Sequence, residues 1–226
     1  MSIGNDIKIY IPERTEFDDV DLSNTGGNSD IKNFTSKNLE LKATSGKITI
    51  ESVSSENCRI RLTSGDLRID KSIVKGKIGI LSTSGSISIN ELVSENMTIN
   101  KTSGKILIES PEIKYCDITK TSGNLEIRDA VLEGLRIIST SGKTVFDGVI
   151  SGKSDIKTTS GAISFDIAAD KRDFNIFFDV LSGSVIVDGE KIVHLKEKQY
   201  NISENKKNEL RFKSASGSIK LNFIKS

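Results

Sequence analysis

The stretch Thr102-Ser103-Gly104-Lys105-Ile106-Leu107-Ile108 decides how this chain folds, because its pattern returns 19 residues later as Thr121-Ser122-Gly123-Asn124-Leu125-Glu126-Ile127. The Ser-Gly pair stands at Ser45, Ser64, Ser84, Ser103, Ser122, Ser141 and Ser160, at steps of 19, 20, 19, 19, 19 and 19 residues. Gly26-Gly27 is a weaker copy 19 residues before Ser45-Gly46, and Ser182-Gly183 and Ser216-Gly217 follow at looser steps of 22 and 34. A fixed period of this kind marks a repeat architecture, in which each unit buries its apolar face only against its neighbours.

The flanking columns show what each repeat contributes. Two and four residues after the glycines stand Ile48 and Ile50, Leu67 and Ile69, Ile87 and Ile89, Ile106 and Ile108. Six and four residues before the serines stand Leu39 and Leu41, Cys58 and Ile60, Ile78 and Ile80, Met97 and Ile99. Over nine copies, 34 of 36 such positions are apolar, where a composition 35% hydrophobic would place about 13 by chance. Apolar residues two apart with mostly polar ones between them describe strands with one face inward. Each repeat is therefore two short strands bent into one another at Thr-Ser-Gly. Glycine takes the positive φ of a sharp corner without steric cost, and the serine hydroxyl can bond backbone groups of the storeys above and below. Nine near-identical Ser-Gly copies form a structural ladder rather than nine nucleophiles.

A 19-residue unit is too short for a propeller blade of about 40–45 residues, and it lacks the Leu and Asn columns of a leucine-rich repeat. No segment sustains a helical period. The expected fold is all-β: a single-stranded parallel β-helix, or β-solenoid, of about ten coils, right-handed like other parallel crossovers. One domain spans 1–226. Residues 7–30 supply an N-terminal coil and cap, with Ile7-Lys8-Ile9-Tyr10-Ile11 as a strand stopped by Pro12, and 31–188 supply the regular coils. The charged segment 189–209 reads as a protruding hairpin, and 210–223 as a last coil that closes the stack.

The same residues offer little chemistry. With 32 Lys+Arg against 31 Asp+Glu, the net charge of +1 argues against nucleic-acid binding. No run approaches the roughly 18 apolar residues of a membrane span. The opening Met1-Ser2-Ile3-Gly4-Asn5-Asp6 lacks the basic and apolar regions of a secretory leader. Cys58 and Cys116 fall in one column three coils apart, about 14 Å, too far for a disulfide, and are expected to be free buried thiols. His194 is the single histidine and belongs to the irregular segment. The column after the glycines (Lys47, Asp66, Ser86, Lys105, Asn124, Lys143) gathers no acidic cluster, and Asp66 and Asp70 read as a solvated face. Gly26-Gly27-Asn28-Ser29-Asp30 resembles a calcium repeat loosely and occurs once. No catalytic, cofactor-binding or metal-binding residue is assigned, no cofactor is expected, and the chain reads as a non-enzyme.

Repeated Thr-Ser-Gly-x-Ile-x-Ile with a preceding Ile-x-Ile resembles a bacterial adhesin-type β-solenoid family of otherwise unknown function, over roughly residues 7–223. Ser182-Gly183-Ser184-Val185, a polar insertion and Ser216-Gly217-Ser218-Ile219 resemble the C-terminal end of that family. The resemblance implies a cell-envelope-associated binding or scaffold module, exported or envelope-attached, with a cytoplasmic member as the alternative. Its partner would be a cell-wall glycan or an envelope protein. A carbohydrate-active β-helix enzyme and a self-assembling scaffold like the bactofilins are the competing readings, and the expected state is a monomer or weak oligomer.

Overall fold

The computed structural model of the chain describes residues 15–192, 198–200 and 206–224. The strand expected at residues 7–11 and His194 lie outside the described residues. Strands follow one another almost without a break: β1 (Glu16–Asn24), β2 (Ser29–Ala43), β3 (Lys47–Leu62), β4 (Asp66–Ser82), β5 (Ile87–Lys101), β6 (Ile106–Glu109), β7 (Glu112–Lys120) and β8 (Leu125–Ser139). They continue as β9 (Thr144–Ile150), β10 (Lys153–Ile167), β11 (Phe174–Val187), β12 (Glu190–Ile192), β13 (Lys198–Tyr200) and β14 (Asn208–Phe223). Among the described residues a single 3₁₀ turn, Lys171–Asp173, interrupts them.

Each strand pairs in parallel with its counterpart one storey away, so the sequence columns become physical ladders. Ile48 pairs with Leu67, Leu67 with Ile87, Ile87 with Ile106 and Ile106 with Leu125. All five are at most 3% exposed, and burial of a side chain of this size contributes about 1.5–3 kcal/mol. The molecule is a β-solenoid of about eight turns, fewer than the ten coils read from ten corners. Corners bound circuits, so ten corners enclose fewer than ten complete turns. Among the described residues, no strand pairs with Val149 and Ile150 on the side away from β8.

Two corners shape each storey. At Thr-Ser-Gly, Gly46, Gly65, Gly85, Gly104, Gly123, Gly142 and Gly161 stack with positive φ, and a Cβ on any of them would overlap the carbonyl oxygen of the glycine one storey below. The serines bridge as expected: the hydroxyls of Ser45, Ser103 and Ser141 donate to the carbonyls of Thr25, Thr83 and Thr121 at 3.0, 3.3 and 3.4 Å. Six residues after the glycines comes a second corner that the sequence did not announce. Asn33, Ser52, Lys71, Glu91, Ser110 and Asp129 sit there in the left-handed region, with φ of 46–55°. Asn, Ser and Asp enter that region at modest cost, whereas Lys71 and Glu91 are held there by the pairing on either side. The second corner adds a short third face, around Val53–Ser55 and its counterparts, between the two long ones.

The C-terminal end departs from sequence order. The last strand, β14, does not close the stack as expected of 210–223. It lies between β10 and β11, in register with both: Ile163 pairs with Ile219, and Ile219 with Val185. The connection through Lys171–Asp173 carries the chain past one storey, and β14 fills the gap. Phe212 is the reason the insertion packs well, with its ring centroid 5.3 Å from Phe165 below and 5.6 Å from Phe178 above. The outer edge belongs to β11, and β12 and β13 both pair antiparallel with it. Asp188 and Gly189, with φ of 48° and 84°, make the tight turn that folds β12 back. The two described strands of segment 189–209 therefore lie along the stack, covering an edge that would otherwise invite pairing with other chains.

Two experiments check this architecture. Gly123→Ala should cost about 3 kcal/mol or more in denaturant unfolding, while Gly79→Ala, where a Cβ meets nothing within 4 Å, should stay within about 1 kcal/mol of the parent. Ile106→Asp, which buries an unpaired charge at a position 0% exposed, should abolish the cooperative thermal transition. Exposed Lys105→Ala should shift stability by no more than about 0.5 kcal/mol.

Candidate binding groove

On the long face that precedes the Thr-Ser-Gly corner, one outward column reads Asn38, Asn57, Lys77, Asn96, Tyr115, Gly134 and Lys153 up the stack. Gly134 removes the side chain from the middle of this column. Tyr115 lies over the space, since a Cβ at Gly134 would come within 3.2 Å of its ring and 3.3 Å of the Lys153 carbonyl. The result is an open groove of about 560 Å³. Tyr115 is 54% exposed, an aromatic surface turned to solvent instead of the core.

The neighbouring column supplies charge of both signs. Arg136 Nη1 donates to both carboxylate oxygens of Asp117, at 2.9 and 3.1 Å. Asp155 is paired with Lys157 at 2.6 Å; Arg211 continues this column and is paired at 2.6 Å with Glu209, which stands beside Lys153 in the first column. The Arg211 guanidinium sits 4.2 Å from the centre of the Phe177 ring, a cation–π contact that holds it in place. Lys153 is exposed and, among the described residues, forms no ion pair. The groove therefore offers an aromatic platform, an unneutralised ammonium and a rim of paired acids and guanidinium groups. Arg211 and Glu209 come from β14, so the interleaved C-terminal strand completes one wall.

Of the residues singled out in the sequence, Cys116 borders the groove from beneath, with its thiol turned into the core, and the others lie elsewhere. Asp66 accepts from the Ser86 backbone N–H at 2.8 Å and from its hydroxyl, and these bonds hold its carboxyl below the usual carboxylate range. Asp70 is engaged by Arg68 on the same strand. Both bind neighbouring storeys or strand neighbours together. Cys58 and Cys116 are free and buried, and burial pushes the Cys58 thiol up to about 12 and Cys116 up as well, so neither is a thiolate at neutral pH. Among the described residues no group of three or more His, Cys, Asp or Glu side chains could hold a metal ion.

A second unusual cluster lies inside the Thr-Ser-Gly corner. The column two residues before the serines points inward, and two successive storeys place lysines there: Lys101, 4% exposed, and Lys120, 2% exposed. They turn apart. Lys101 Nζ reaches down to the Ser82 hydroxyl at 3.0 Å, and Lys120 Nζ donates up to the carbonyls of Gly123 and Ser141 at 2.8 and 2.9 Å. Burial lowers both amines, Lys120 to about 8. Both are built into the corner, with carbonyl and hydroxyl partners in place of a carboxylate, and they do not line the groove.

The chain matches the family described as Toastrack DUF4097 over residues 2–110 and again over residues 76–222. No curated protein and no solved structure matches it. The two matches overlap over residues 76–110 and together run from residue 2 to residue 222.

The buried amine gives a pH test. The unfolded lysine keeps its proton to about 10.5, whereas folded Lys120 loses it near 8. Between these values the unfolded chain holds more protons, so this group makes stability rise with pH. The parent should gain about 3 kcal/mol on Lys120→Met across that window in paired unfolding curves. Curves that stay parallel would refute the assignment.

Proposed function

Because the chain belongs to the Toastrack DUF4097 family, a β-solenoid domain of unknown function, we propose from its own geometry that it is a non-catalytic binding module of the bacterial cell envelope. Its groove takes an anionic cell-wall glycan. The observation that carries this reading is the open groove of about 560 Å³ bordered by the exposed Tyr115 ring and by Lys153, which forms no ion pair among the described residues. A pyranose ring has an apolar face that stacks on an aromatic surface and an equatorial rim of hydroxyls that bond carboxylates and guanidinium groups. Lys153 adds preference for a carboxylate or phosphate on the sugar. An open groove along a rigid rod suits a polymer chain better than an enclosed small molecule.

Catalysis on the glycan would need a carboxyl free to act as acid, base or nucleophile. Asp117, Asp155 and Glu209 are each tied to a cation in this chain, which supports binding without turnover. An envelope location is part of the proposal and is supported by the resemblance of the repeats to adhesin-type solenoids.

Calorimetric titration with soluble peptidoglycan fragments, uronic-acid oligosaccharides and teichoic-acid fragments tests the reading. The parent should bind at least one, and Tyr115→Ala or Lys153→Glu should weaken that binding at least about tenfold, or 1.4 kcal/mol, with melting unchanged. Binding indifferent to both substitutions, or release of products from the polymer, would overturn it.

A further inference from the structure

Two adjacent storeys of the short third face carry charges that form no ion pair among the described residues. Each of its storeys presents an outward residue flanked by the two corner positions. The storey Lys71, Ile73, Lys75 lies directly against the storey Glu91, Val93, Glu95, with Ile73 paired to Val93. Ile73 is 47% exposed and Val93 42%, apolar side chains on the outside of a solenoid whose other outward positions are mostly polar. Among the described residues, none of Lys71, Lys75, Glu91 and Glu95 forms an ion pair. Two positive charges around an exposed isoleucine thus stand one storey, about 4.8 Å, from two negative charges around an exposed valine.

Such a surface is complementary to itself turned end for end. A two-fold axis lying in the face, across the columns and between these storeys, brings Lys71 opposite Glu91 and Lys75 opposite Glu95 of a second copy. It also brings Ile73 onto Val93 of that copy, and symmetry repeats all three contacts. The next storeys continue the match, because Glu56 meets Lys114 of the second copy. An axis through either storey would instead oppose like charges. The alternation is what in-register stacking favours within one chain, and here the same alternation leaves four charges and two apolar side chains available to a partner of inverted order.

We propose that two copies of this chain pair antiparallel through this face, centred between Ile73 and Val93. About six storeys overlap, roughly 29 Å by 10 Å, so each copy buries on the order of 300 Å², well below the roughly 800 Å² per partner of a tight complex. The dimer is therefore weak, concentration-dependent and sensitive to salt. The groove at Gly134 is on a different face and remains open in the pair.

Sedimentation velocity of the full chain over micromolar to millimolar concentration, at low and high ionic strength, tests the proposal. A dimer should appear with concentration at low salt and retreat as salt is added. Lys75→Glu should shift the chain to monomer, and Lys75→Glu combined with Glu95→Lys should restore the dimer, because the swapped charges again face each other. Ile73→Ser, which leaves every charge in place, should also weaken association, with melting curves confirming that each variant is folded. A chain that stays monomeric throughout, a dimer that Lys75→Glu and Ile73→Ser leave intact, or a double exchange that fails to restore pairing would each overturn it.

Discussion

The constraint on which the rest of the molecule depends is the close stacking of backbone at the Thr-Ser-Gly corner. Successive glycines lie so near that a single carbon on any of them would strike the carbonyl oxygen beneath. Strands one storey apart are about 4.8 Å from each other, and a corner that turns the chain sharply cannot also accommodate side chains at that spacing. Glycine meets the steric and conformational requirements together, and the serine before it adds a hydrogen bond to the next storey. With the corner fixed, the residues two and four positions away must face inward, and the Ile and Leu ladders follow.

The interior is not uniformly apolar, and its exceptions have local causes. At the inward position beside the corner the column runs Ala43, Leu62, Ser82, Lys101, Lys120, Ser139, all buried. Backbone carbonyls turn toward this space, so a hydroxyl or an amine finds acceptors there that the middle of the core lacks. Two lysines are tolerated because one reaches down and the other up. Among the described residues, four buried serine hydroxyls have no partner, Ser36, Ser55, Ser154 and Ser214; they are small groups at positions where larger residues stand in other storeys.

The C-terminal end shows how a repeat protein can cover part of its outer edge with its own chain. Strands β11 and β14 carry the same columns, and either would fit on β10 by pattern alone. The longer step from Ser160 to Ser182 lets β11 settle one storey further out, and β14 returns to the vacancy. Its entry brings Arg211 and Glu209 into the groove wall and seats Phe212 between two other rings. Folding of the last storeys is in this way joined to completion of the candidate site.

Sequence alone determined the storey: its length, its glycine corner, its inward columns and the parallel stacking, because a 19-residue period leaves few ways to bury Ile48, Leu67 and Ile87 together. It also separated Cys58 from Cys116, since column position fixes height along the rod. The second corner was hidden because residues as different as Ser52, Lys71 and Glu91 occupy it, held by pairing rather than by local preference. The placement of β14 was hidden because in-register repeats are interchangeable in pattern, and only the packing of Phe165, Phe212 and Phe178 selects their order. The groove escaped notice for a related reason. Gly134 and Tyr115 each look ordinary in their own repeat, and they form a cavity only when stacking sets them side by side, which is a property of neighbours in space and not of neighbours in the chain.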